Sequence, residues 1–166
     1  TNIEEELIFT DEKVYDPSVS LRQKDRDTDE IYISYSTPKT QNRTYLYNIK
    51  TKEKKLVKEQ IIPSGHKPED YIVERLECRS HDGRIVPITI TRHKETPVDG
   101  SAELLLYGYG SYGHSMSPTF SSTRLSLINR KIIWATAHIR GGMERGMKWW
   151  KEGKLLNKKN TFKDYI

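Results

Sequence analysis

Three groups of residues have the types and spacing to do chemistry. Gly108, Gly110 and Gly113 follow the apolar run Leu104-Leu105-Leu106-Tyr107 and spell G-x-G-x-x-G. A loop of that form can cradle a pyrophosphate when a helix opens within it. Here Pro118 delays any helix, and Tyr109 and Tyr112 add bulk where a cofactor would approach. No acidic residue closes the next apolar run; His138 and Arg140 stand there instead. An arginine can meet a 2′-phosphate, so an NADP-binding domain is one alternative reading. The second group, Gly113-His114-Ser115-Met116-Ser117, approaches the nucleophile elbow G-x-S-x-G. The elbow needs small residues on both sides of its serine, at the very end of a strand. Ser117 breaks that pattern and Ser115 lies well past the strand, so Ser115 reads as a loop serine. The third candidate is Tyr109. A phenol at the mouth of a buried strand can donate to a developing oxyanion, or its ring can pack under the loop. His138 can line a site, but no Cys/His spacing supports a metal, and neither a metal nor a cofactor is expected. Trp149-Trp150 reads as core or interface packing.

The elements that must position these residues are legible in outline. Residues 104–107, apolar on both faces, suit a strand covered on both sides in a parallel α/β sheet. A glycine turn at the carboxyl end of such a strand is where α/β proteins place reacting groups. A second strand, 132–137, ends in Arg140-Gly141-Gly142. Between them, Ser117-Pro118 reads as an N-cap and first helical residue. Phe120, Arg124, Leu127 and Ile128 follow at helical spacing, and the helix ends near Asn129. Strand, helix and strand then imply a parallel pair. Upstream, 71–79 and 85–91 form a hairpin turned by Asp82-Gly83.

The first third reads as antiparallel β. Its strands are Leu7–Phe9, 31–36, 45–48 and 55–57, in the rhythm of a propeller blade or a meander. Residues 62–70 read as a linker. Thr161-Phe162-Lys163-Asp164 fits a capping box with almost no chain left to follow it, so the sequence is expected to be a piece of a larger fold.

The chain has 166 residues, with 34% hydrophobic residues and a formal net charge of +5. Globular domains are about 45–50% apolar on a similar count, so the core is expected to be incomplete or finished by other residues. The lysines are scattered, which favours a solvated surface over nucleic-acid binding. One cysteine, Cys78, excludes an internal disulfide. The start is acidic rather than signal-like, and no run reaches the ~18 apolar residues of a membrane helix. A cytoplasmic location without membrane contact is expected.

Leu104 to Gly113, the stretch 120–127, Ala137-His138-Ile139-Arg140-Gly141-Gly142-Met143-Glu144 and the run 153–162 together resemble the prolyl oligopeptidase family of serine peptidases. The YGSYG and GKLLNKKNTF forms are most similar to its oligopeptidase B (protease II) branch. The resemblance implies an α/β fold, the N-terminal part of an α/β-hydrolase domain over residues 66–166. It is preceded, over residues 1–65, by antiparallel β, the end of a seven-bladed β-propeller. It implies hydrolysis of short peptides after Arg or Lys. Tyr109 matches the tyrosine that helps form the oxyanion hole, and Tyr112 the aromatic position beside the primary specificity pocket. The Ser-Asp-His triad of the family is expected beyond Ile166, so the chain alone is expected to be inactive. A non-catalytic piece that folds against a partner chain, supplying the rest of the hydrolase domain, is a further alternative. Ser117 and Thr119 stand where oligopeptidase B relatives often carry acidic residues that bind basic side chains. Met143 replaces the third glycine of RGGGE and is expected to be strained if that position has φ > 0.

Overall fold

The computed structural model describes residues 12–21 and 28–166. The expected strand at Leu7–Phe9 lies outside the described residues. Two four-stranded sheets are present. The first is an antiparallel meander of β1 (Asp16–Leu21), β2 (Glu30–Ser36), β3 (Arg43–Asn48) and β4 (Lys54–Glu59). Alternation in β2 buries Ile33 and Tyr35 on the face where β3 buries Tyr47. Tyr35 also stacks on Tyr45, with centroids 6.0 Å apart. The β3–β4 turn is an Asx turn: Asn48 Oδ1 accepts the backbone N–H groups of Lys50 and Thr51. β4, exposed along its length, carries lysines that discourage pairing at this edge.

The second sheet has the order β5-β6-β8-β7. β5 (Tyr71–Arg79) and β6 (Ile85–His93) form the expected hairpin, antiparallel and turned at Asp82-Gly83, with Gly83 at φ +82°. β8 (Ile133–Ala137) pairs antiparallel with β6 and parallel with β7 (Leu104–Tyr107). The helix between β7 and β8 is α1 (Ser122–Ile128), which packs on β8. Two shorter helices follow, α2 (Met147–Lys151) and α3 (Lys159–Tyr165).

Three sequence expectations change here. β7 is an edge strand with one strand neighbour, and Leu104 and Tyr107 are exposed rather than covered on both faces. The cap of α1 is Ser121, whose Oγ accepts the Arg124 N–H, not Ser117. Residues 113–120 are spent on an extended connection, and the Phe120 N–H ties it to Ser36 Oγ of the first sheet at 3.2 Å. Thr161 lies inside α3 and caps nothing; its hydroxyl donates to the carbonyls of Arg140 and Gly153. The 62–70 connection joins the two sheets, as expected of a linker, and is largely exposed, with His66 as an anchored residue. His66 sits between Tyr71 and Phe120 and contacts the Lys39 carbonyl through Nε2 at 2.6 Å. His93 meets Lys131 Nζ at 2.8 Å.

Among the described residues, the buried apolar side chains around the second sheet form two small clusters. Val86, Ala137, Ile139 and Trp149 form one; Tyr71, Leu125 and Ile128, with Phe120 and Trp134 against them, form the other. Ile128 is fully buried at the α1–sheet contact. Ile128→Ala is expected to lower stability by about 2–5 kcal/mol, read from urea denaturation. A loss under about 1 kcal/mol would show that this cluster does not hold α1 in place.

Candidate functional site

The loops after β7 and β8 are fastened by a buried arginine. Arg140 Nη1 donates to Asp82 Oδ2 at 2.6 Å and Nη2 to Asp82 Oδ1 at 3.2 Å. Its Nε and Nη2 donate to the two oxygens of Asp164 at 2.8 and 2.6 Å, and its backbone N–H adds a bond of 3.0 Å. Arg140 is 1% exposed and the Asp164 side chain 0%. An arginine can be buried this way because two carboxylates match its fork of donors. Asp164, then Asp82, raise the Arg140 pKa above its ordinary range against the opposing effect of burial. Arg140 in turn holds the Asp82 carboxyl down to about 2. With both faces of its fork committed, this guanidinium is not available for a 2′-phosphate.

The two glycine loops interlock. Gly113 N–H donates to the Gly141 carbonyl at 2.9 Å. Gly141 has φ +97°, and a Cβ there would collide with the Gly110 carbonyl. Gly110, at φ +61°, would press a Cβ into Ile139 and Thr161. Lys158 Nζ completes the lock, donating to Gly110 O at 2.6 Å and to Ser111 Oγ at 2.7 Å. The glycine spacing thus serves loop-on-loop packing, and the helix that a dinucleotide cradle needs opens only at Ser122. Met143 is not among the described residues with φ > 0, so the expected strain is absent; the left-handed position is at Gly141.

Tyr109 and Tyr112 line one cleft of about 680 Å³, together with Tyr107, Gly113, His114 and Met116. Tyr109 is 45% exposed, and the His114 ring meets it edge-on at 5.7 Å. Tyr112, at φ +55°, is 91% exposed. Ser115 and His138 line a different cleft of about 480 Å³, with Arg75 and Glu144. His138 is engaged there by Arg75 Nη1 at 3.0 Å and Thr89 Oγ1 at 2.8 Å, both at Nε2. A Ser–His contact occurs at Ser80 and His81, 3.2 Å apart, but the Ser80 hydroxyl donates to Asp164. That proton is already placed, so the pair is not a nucleophile and base. Trp149 is core, as expected, with its Nε1–H on the His138 carbonyl. Sequence reasoning missed Glu144 and the Asp82–Arg140–Asp164 cluster. Pairings that distant in sequence leave no local period to find.

Residues 118–166 match the model of the prolyl oligopeptidase family. The chain is 41% identical over 97% of its length to a dipeptidyl aminopeptidase BI from Pseudoxanthomonas mexicana, covering 22% of that relative. It is 36% identical over 96% of its length to a protease 2 from Moraxella lacunata, covering 23%. Among solved structures, oligopeptidase B from Trypanosoma brucei superposes with a TM-score of 0.86 at 34% identity. That match covers 95% of this chain and 22% of the other. Oligopeptidase B from Leishmania major gives 0.82 at 33%, with the same coverage. Residues 118–166 thus match the prolyl oligopeptidase family, and the chain spans about a fifth of the length of the relatives it is similar to. Among the described residues, no helix is long and apolar enough to cross a membrane, and no group of three metal-ligating acidic, His or Cys residues occurs.

Arg140→Met is expected to cost about 3–5 kcal/mol, because it strands Asp164 without its cation. The acid response has a definite sign. A carboxyl held below its free value stabilises the fold above about pH 4 and loses that contribution as pH falls toward 2. The stability difference between wild type and Asp82→Asn is therefore expected to be constant near neutrality and to shrink below about pH 4. Denaturant titrations at stepped pH would show it; a difference independent of pH would rule out the Asp82–Arg140 pairing.

Proposed function

We propose that this chain supplies the oxyanion side of an oligopeptidase B-like serine peptidase. In this reading residues 1–65 are the last portion of a β-propeller, and residues 66–166 open the α/β-hydrolase domain. The antiparallel meander β1–β4 and the parallel β7–β8 pair support that division. Tyr109 donates its phenolic hydrogen to the carbonyl oxygen of the scissile peptide as negative charge builds on it. Tyr112 flanks the pocket for the residue before the cleaved bond, and short peptides cut after Arg or Lys are the substrate class. Ser117 and Thr119, in place of acidic residues, leave less charge to hold a second basic side chain.

The observation that carries this reading is the fixed placement of Tyr109. It sits just past the carboxyl end of β7, beside a loop locked through Gly113, Gly141 and Lys158. An oxyanion donor helps only if it is already in place when charge develops, because then no reorganisation is needed. Two serines near this region are placed otherwise: Ser80 is committed to Asp164, and Ser115 shares no cleft with Tyr109. The attacking serine and its base are supplied from outside these 166 residues.

Two measurements test this. The 166-residue chain alone is expected neither to hydrolyse an arginyl amide nor to react with a fluorophosphonate; serine-dependent turnover would overturn the reading. In the peptidase that contains this sequence, Tyr109→Phe is expected to lower kcat by about 10²–10³-fold with KM little changed. An unchanged kcat would remove Tyr109 from the oxyanion role.

A further inference from the structure

Glu144 lies outside the cleft of Tyr109, yet it is connected to it. Its carboxylate is 8% exposed, and Oε1 accepts the backbone N–H of Met116 at 3.0 Å. Its Oε2 is buried without a hydrogen-bond partner. Beside it lies His138, 3% exposed. A guanidinium can only donate, so the contact from Arg75 Nη1 makes His138 Nε2 an acceptor and leaves the ring hydrogen on Nδ1. Nδ1 stands 3.7 Å from Glu144 Oε1, too long for a hydrogen bond but near enough to attract the carboxylate. Burial alone would push the Glu144 carboxyl up; His138 and the Met116 amide more than offset it and hold it below its ordinary range. Gly142 makes the room, since a Cβ there would collide with the Glu144 carboxylate.

These contacts form a chain. Arg75 of β5 and Thr89 of β6 orient His138, His138 faces Glu144, and Glu144 grips the Met116 amide. Met116 follows His114 closely in sequence, and the His114 ring is the one set edge-on against Tyr109. We propose that Glu144 is a positioning residue for Tyr109, pinning the 113–117 connection through the Met116 amide so that His114 holds the tyrosine ring in place. The catalytic consequence rests on the reading of Tyr109 as oxyanion donor; the positioning itself does not. The device ties the tyrosine to the β5–β6 hairpin, on the far side of the second sheet from β7, rather than to its own loop alone.

The test reads loop order rather than turnover, so its failure and the failure of the oxyanion reading are separable. Hydrogen–deuterium exchange across residues 111–118 and the ring-proton resonances of His114 would be followed in wild type, Glu144→Ala and Glu144→Gln. In Glu144→Ala, exchange at Met116 is expected to rise about tenfold relative to β5 and β6, and the His114 ring signals to move toward free-histidine positions. Glu144→Gln keeps a carbonyl acceptor and is expected to restore both. In wild type, the Met116 amide is expected to exchange more slowly than those of Ser115 and Ser117, a comparison that needs no variant. Met116 exchanging at its neighbours' rate would overturn the proposal. So would equal acceleration throughout Glu144→Ala, or a glutamine variant that restores nothing.

Discussion

The buried pairing of Arg140 with Asp82 and Asp164 is the constraint on which the second half of the molecule depends. It joins the β5–β6 turn, the loop after β8 and helix α3, three places far apart in sequence. Taking a guanidinium out of water costs several kcal/mol, and the cost is met only when every donor finds an acceptor at good geometry. Here the side chain makes four bonds to carboxylate oxygens, and the Arg140 backbone N–H makes a fifth. The arrangement therefore tolerates little displacement of any of the three elements, because a shift of one would leave a buried charge short of its partner. A ring of apolar side chains of equal volume could hold the same elements together, but it would not fix their orientation so narrowly.

Orientation matters because α3 is what closes the glycine loops. With Asp164 anchored, Thr161 donates to the Arg140 and Gly153 carbonyls and stands against Gly110. Lys158, next to the start of α3, reaches the Gly110 carbonyl and Ser111. Burial lowers the Lys158 pKa, yet an ammonium at that spot stabilises a carbonyl dipole that would otherwise point into the packed loops. The loop bearing Tyr109 is thereby held from one side by α3 and from the other by Glu144 through Met116. The oxyanion role proposed for Tyr109 needs both supports, since a loop held on one side alone retains a hinge.

Much of the fold was legible in the sequence, and the failures share a cause. Alternation placed β2, β3 and β4, and Asp82-Gly83 placed the β5–β6 turn, because those signals are local. The apolar run 104–107 was read as a strand with the right bounds but the wrong surroundings. Composition reports that a strand is apolar; it does not report how many neighbours it has. Ser117-Pro118 and Thr161–Asp164 both carry valid capping patterns that tertiary demands overrode. The first lies in a stretch needed to reach Ser36 of the other sheet, and in the second both polar side chains serve Arg140 or its carbonyl. Tyr109 and Tyr112 were singled out by loop position and resemblance, and the structure sets both along one cleft. Glu144 escaped because its signal is a distance to Met116 and His138, which no spacing rule encodes.

The balance of forces also explains why a chain with so modest an apolar content can present a site at all. Its two apolar clusters are small, and large side chains such as Leu104, Phe162 and Ile166 remain exposed. Hydrophobic burial is non-directional; it brings elements together without deciding the last ångström of their placement. Around Tyr109 the deciding contacts are instead charged or polar and directional: Arg140 on two aspartates, Lys158 on a carbonyl, Glu144 on an amide. Such contacts contribute less net stability than their number suggests, because each replaces a bond to water. What they contribute is geometry. A region built this way holds Tyr109 in place even where its apolar surface is only partly covered, and the oxyanion role proposed for that residue requires such a fixed donor.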